Sequence, residues 1–166
     1  MLAAGVFALT SCSDDDENNN NQNDDQVVGT YRLAAYTAPA ALDLDNDGDS
    51  SSDLSTEYNC YADWEIVLNS DQTFTRTHNI TGVTDGDLTC QIGQTATGTW
   101  SRNGQTLTLI NANNGDELTE EYTFSSNNEI LTKTGPGQYP IIFENIFIME
   151  GGTITVVYSK VDDGVN

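Results

Sequence analysis

From Val27 to Val161 the chain repeats one pattern: short runs in which apolar or aromatic residues alternate with threonine and other polar residues. Successive side chains of an extended strand point to opposite faces, so a period of two predicts half-buried β-strands. "VVGTYRLAAYT" puts Tyr31, Leu33 and Ala35 on one face, and "DWEIVLN" does the same for Trp64, Ile66 and Leu68. In "TFTRTHNI" the threonines 73, 75 and 77 oppose Phe74, Arg76, His78 and Ile80. "TATGTWSR", "QTLTLI", "EEYTFS", "EILTKT", "PIIFENIFIM" and "TITVVYSK" follow, and no segment carries a helical stripe. Tight turns are expected at 69–72, 102–105, 125–128 and 150–153, and longer links at 38–60, 81–94, 111–117 and 135–139. In an up-and-down meander such alternation gathers the tight turns at one end and the long loops at the other. The expectation is an all-β fold: a single antiparallel up-and-down β-barrel with a closed base and a loop-framed mouth. Nine strand-like segments do not close a purely antiparallel barrel, which needs an even number. One of them is then split, misplaced or outside the barrel, and a two-sheet β-sandwich is the alternative.

The N-terminus addresses compartment. "MLAAGVFALTSC" is too short to span a bilayer and reads as the end of a secretory signal, 1–11, with no basic residue before its apolar run. The expectation is a shortened signal or a misplaced start. Leu9-Thr10-Ser11-Cys12 resembles the lipobox of bacterial lipoproteins, which implies a Cys12 acylated and held in outer-membrane lipid. Residues 13–26 contain no aliphatic or aromatic side chain, so 12–26 is expected to be a flexible tether. Its Ser13-Asp14-Asp15-Asp16-Glu17 resembles the export signal of Bacteroidota surface lipoproteins, implying an outer-membrane, cell-surface protein; a spacer facing the periplasm is the alternative. The barrel is expected over 27–161, with a short tail at 162–166. With 26 acidic residues against 5 basic ones and a net charge of -21, the surface repels phosphate backbones, which argues against nucleic acid as a partner.

Two further cysteines, Cys60 and Cys90, fall in the predicted mouth links. In an oxidising compartment a leftover pair forms a disulfide, here worth about 3–4 kcal/mol by chain entropy. "VVGTYRL" behind a tether, then "EYNCYADWEIVLNSDQTFT", "GTWSRNGQTLTL" and a closing "VVYSKV", is similar in order to the lipocalin-like lipoproteins of Bacteroidota over about residues 27–161. Gly29-Thr30-Tyr31 stands where lipocalins carry Gly-x-Trp. The resemblance implies an eight-stranded calyx and no established ligand.

"DLDNDGDSSSDL", residues 43–54, invites a metal reading. Calcium takes six to eight oxygens, and Asp43, Asp45 and Asp47 with Gly48 sixth and the Asp49 carbonyl seventh follow the spacing of a calcium loop. The twelfth position is Leu54 rather than glutamate, so the loop is no EF-hand; Asp53 or Glu57 would have to complete the shell. Such a site would be structural and weak, with a Kd of about 10⁻⁴–10⁻³ M. The same residues are ordinary for a solvated loop, and the sequence leaves both readings open.

Catalysis finds little support. His78 is the single histidine and belongs to no nucleophile or metal motif; its plain reading is a solvated residue near a strand end. Parity nonetheless sets it beside Arg76 and Phe74, pointing inward, with Trp100 a further aromatic candidate. An inward Arg76 would meet the acid group of an amphiphile, unless it or Arg102 merely packs over Trp100 or Trp64. The expected function is thus non-enzymatic: a surface-tethered barrel without organic cofactor that binds a small amphiphile or an extracellular partner. A solid-core module recognising protein or glycan through its mouth loops is the alternative.

Overall fold

The computed structural model describes residues 24–113, 116–144 and 146–161. The signal (1–11), Cys12, most of the tether and the tail 162–166 lie outside them. The described chain forms a closed antiparallel β-barrel of eight strands: β1 (Gly29–Leu42), β3 (Glu65–Leu68), β4 (Thr73–Thr84), β5 (Asp87–Asn103), β6 (Thr106–Asn113), β7 (Asp116–Phe124), β8 (Ile130–Phe143) and β9 (Ile146–Lys160). Each pairs with its neighbour in the chain, and β1 with β9 closes the ring. A three-residue strand, β2 (Ser51–Asp53), pairs with the far end of β1, at Thr37 and Leu42. Among the described residues helix is confined to single turns, α1 (Asp24–Val27), α2 (Leu54–Glu57) and a 3₁₀ turn Asn59–Tyr61. Among the described residues no helix is long and apolar enough to cross a membrane.

The even strand number resolves the nine expected segments. "EILTKT", "PIIFENIFIM" and "TITVVYSK" are two long strands, β8 and β9, that reverse between Phe143 and Ile146. The glycines at 135–137 and 151–152 read as turns because glycine usually marks one, but here they face each other across the ladder, Gly137 opposite Gly152. A β-carbon on Gly137 would lie 2.3 Å from Ile154 Cδ1, and one on Gly152 2.8 Å from Tyr139 Cε1. The missing side chains make room for larger neighbours rather than for a bend. Likewise 81–94 is a hairpin turning at Asp85–Gly86, while the first long link, after β1, is a true loop. The mouth is framed by extended hairpins more than by loops; one contact between them runs from Phe147 N to Gly86 O, 2.9 Å.

Inward phase follows the sequence in most strands. Ile66, Leu68, Phe74, Trp100, Leu107 and Leu109 are all buried, as are Tyr122, Phe124 and Leu131. In β1 the register shifts between Leu33 and Ala35, which exchanges the two faces. Tyr31 is therefore inward below the shift and Tyr36 and Ala38 above it, in place of the expected Ala35. The closed end is sealed by Tyr31, whose hydroxyl donates to Val27 O at 2.8 Å, and by Trp100, whose indole N–H donates to Asn69 O at 3.0 Å.

One seam is loose. β7 and β8 pair only at Thr123–Thr132 and Phe124–Leu131, next to their connecting turn, whereas β8 and β9 pair from Ile130 to Phe143. Towards the mouth β7 and β8 diverge and leave a slit in the wall.

Candidate functional site

Behind that slit lies a cavity of about 200 Å³, lined among others by Tyr36, Trp64, Arg76, His78, Glu120, Tyr122, Lys133 and Tyr158. Alternation on three strands from opposite parts of the ring builds its polar floor: Arg76 is in phase with Phe74 on β4, Glu120 with Tyr122 and Phe124 on β7, and Lys133 with Leu131 on β8. The same parity that fills the base with aromatics therefore projects charges into the interior one layer higher.

The Glu120 carboxylate is the hub. Arg76 Nη1 pairs with its Oε1, Lys133 Nζ lies 2.6 Å from Oε2, and the Tyr122 hydroxyl donates to Oε2 at 3.1 Å. Burial alone would raise the Glu120 pKa, but the charges of Arg76 and Lys133 outweigh it and hold the group down at about 2. His78 is shifted the other way: burial, and then the Arg76 charge, lower its pKa and favour the neutral ring. Lys133 reaches from β8 to Glu120 on β7 and so spans the slit.

Three polar atoms of the lining, Trp64 Nε1, Arg76 Nε and His78 Nδ1, are buried without a hydrogen-bond partner. A second cavity of about 160 Å³ shares Tyr36, Trp64 and His78 with the first and continues toward the mouth past Ile80 and Met149. Its aromatic wall is continuous. Tyr36 stacks on Tyr61 with ring centroids 4.6 Å apart, Trp64 stands edge-on to both, and His78 stands edge-on to Trp64 at 5.7 Å. Cys60, joined to Cys90 of β5 by the disulfide the sequence predicts, fixes the turn that delivers Tyr61.

Of the four expected ligand-binding residues the structure places Arg76 and His78 in the cavity. Phe74 and Trp100 belong to the packed base instead, buried to 2% and 3% exposure. Nor does either arginine pack over a tryptophan: Arg76 pairs with Glu120, and the Arg102 guanidinium sits 5.1 Å over Phe124. Sequence reasoning missed Glu120 and Lys133. The signal was present, since each is a charge in the inward phase of its strand.

The acidic loop is only partly gathered. Carboxylate oxygens of Asp43, Asp45 and Glu57 lie within 4.8 Å of one another. Glu57 is buried and accepts from Leu44 N at 3.3 Å, while Asp43 Oδ1 is buried with no partner. The expected turn is there, with Gly48 at φ 96° and its N–H donating to Asp43 Oδ2 at 3.1 Å. Asp47 and Asp49 are exposed and outside this group. Asp53 caps α2, its Oδ1 accepting from Ser55 N at 3.1 Å and from Tyr36 N at 2.9 Å, which ties the loop to β1 and leaves it poorly placed to close a metal shell.

No curated protein and no solved structure matches this chain. A family model described as a domain of unknown function, DUF5004, matches residues 8–153, from the apolar N-terminal run into β9. The match takes in the cavity floor, the disulfide and the acidic loop, and the chain belongs to the DUF5004 family.

Proposed function

We propose that this protein is a lipid-anchored binding module, akin to the lipocalin-like lipoproteins of Bacteroidota, that holds a small amphiphilic molecule inside its barrel. The observation that carries this reading is the pair of cavities sharing Tyr36, Trp64 and His78, one with a charged floor and one opening past Ile80 and Met149. Convergent polar groups on an otherwise apolar, aromatic wall are the usual make-up of a small-molecule site. The inner cavity has room for about six or seven water-sized groups, which suits a short ligand rather than a long acyl chain. Binding fits the chemistry better than turnover. The cavity carboxylate has its pKa held near 2 by two cations, far from the range in which a general acid works at neutral pH, and among the described residues lining the inner cavity no serine, threonine or cysteine accompanies His78. Cys12 would carry the acyl chains, and Ser13–Glu17 would direct the protein to the outer leaflet, facing the medium.

Calorimetric titration of the purified chain with single-chain amphiphiles of six to ten carbons tests the reading. Saturable one-to-one binding with a Kd below about 1 mM is expected, corresponding to about -4 kcal/mol. Failure of every chain length and head group would mean that the interior is only a core, with recognition left to the mouth.

For the acidic loop we propose a weak structural calcium site on Asp43, Asp45 and Glu57, favoured by the buried, unpartnered Asp43 oxygen beside two other carboxylates. Calcium at about 5 mM acting on a site with a Kd of about 10⁻⁴–10⁻³ M should stabilise the fold by about 1–2 kcal/mol. The melting temperature should then fall by a few degrees on chelation. Asp45→Asn, an exposed substitution, should abolish that difference; identical melts of the parent with and without chelator would retire the site.

A further inference from the structure

We propose that the ligand enters acid group first: the inner cavity is built to seat the carboxylate of a short amphiphilic acid on Arg76, Lys133 and Trp64, with its apolar part lying toward Ile80 and Met149. This rests on the reading of the cavities as an amphiphile site and adds the chemistry of the head group.

Charge inside the barrel runs opposite to charge on the whole chain. The chain has 5 basic residues against 26 acidic ones, yet Arg76 and Lys133 both project into this one cavity, where Glu120 is the only acid among the described lining residues. A protein of net charge -21 thus encloses a pocket of net charge +1. Nothing about packing requires it. Buried ion pairs seldom stabilise relative to apolar residues of similar volume, because desolvation offsets their attraction. Arg76 and Glu120 are nevertheless largely buried, with side-chain exposures of 15% and 12%.

Two hydrogen bonds are also missing from the cavity wall. Trp64 Nε1–H and Arg76 Nε–H are groups that can only donate, and both are buried without a partner in the cavity wall. A buried donor left without an acceptor has lost its water and gained nothing in return. Two idle donors and one surplus positive charge are answered together by an acceptor that carries negative charge. A carboxylate does this with its two oxygens. A neutral hydroxyl accepts but leaves the charge uncompensated, and an amine adds to it.

Access and size agree with this. Lys133, with 36% side-chain exposure, stands at the slit between β7 and β8 on the rim of the cavity, and Arg76, at 15%, lies deeper. The second cavity, at about 160 Å³, gives the remainder of a short chain an apolar lie beside Met149.

The test is titration of the purified chain with octanoate, octanol and octylamine, which differ only in head group. Octanoate is expected to bind at least about tenfold more tightly than octanol, and octylamine more weakly than either. Lys133→Gln should lower octanoate affinity by about tenfold or more, the size of a lost charge-assisted hydrogen bond. Arg32→Gln, which removes a surface cation paired with Glu65, should leave octanoate affinity unchanged. Equal binding of octanoate and octanol would overturn the acid seat while the amphiphile reading stands. So would an Lys133→Gln variant that folds normally and binds octanoate as well as the parent. If none of the three binds, the amphiphile reading falls and the acid seat falls with it.

Discussion

Replacing Glu120 by alanine is expected to destabilise the barrel by about 3–5 kcal/mol, among the largest effects available to a single substitution in this chain. The loss comes from what is left behind. Arg76 would keep its charge inside the barrel with 15% side-chain exposure and no counter-ion, and Lys133 would lose the carboxylate it reaches across the slit. The pH dependence has a definite sign. Glu120 has its pKa lowered from 4.5 to about 2, so the folded state holds the proton less tightly than the unfolded chain does. The resulting stabilisation is complete above about pH 5 and is lost as pH falls through the window from 4.5 to 2. Urea melts of parent and Glu120→Ala should therefore differ most at neutral pH and converge in acid. Apolar replacement of Arg76, Glu120 and Lys133 together should cost far less than Glu120→Ala alone, because no charge is stranded. If Glu120→Ala melts like the parent at pH 7, the triad is solvated and the cavity floor described above does not exist.

Removing the disulfide should have an effect of similar size. Cys60 and Cys90 are 30 residues apart in sequence, and a cross-link of that span restricts the unfolded chain by about 3–4 kcal/mol in the chain-entropy model. Cys60 also immediately precedes Tyr61, which stacks on Tyr36 and shares a wall with Trp64. Cys60→Ala/Cys90→Ala should thus lose global stability and loosen the outer cavity as well. The check is equilibrium unfolding with and without reductant: the parent should become as weak as the double variant when reduced, and the double variant should not respond. A parent indifferent to reductant would show that the bond does not form or does not matter.

What the sequence could and could not disclose follows from the range of each physical signal. Alternation is local, so it marks Ile66, Leu68 and Phe74 as one-faced residues, and they are buried. The shift after Leu33 was not, because an inserted residue changes the face without changing composition. Gly137 and Gly152 read as turns, since the space each leaves for Ile154 and Tyr139 exists only once β8 and β9 are paired. Parity alone places Arg76 and His78 inward. Their partners Glu120 and Lys133 stand 44 and 57 positions from Arg76 in sequence, and only closure of the barrel brings the three together. Asp53 looked like a ligand because composition does not reveal that its oxygen is already committed to Ser55 and Tyr36.

The central claim, that a closed barrel offers its interior to a small amphiphilic acid, has a direct reporter in the two tryptophans. Trp64 lines both cavities with its indole N–H unpartnered, whereas the indole N–H of Trp100 is held by Asn69 O at the base. In a ¹⁵N-labelled sample titrated with octanoate, the Trp64 indole resonance should move progressively to a plateau while that of Trp100 stays fixed. Two stationary indole signals up to the solubility of octanoate would contradict the account.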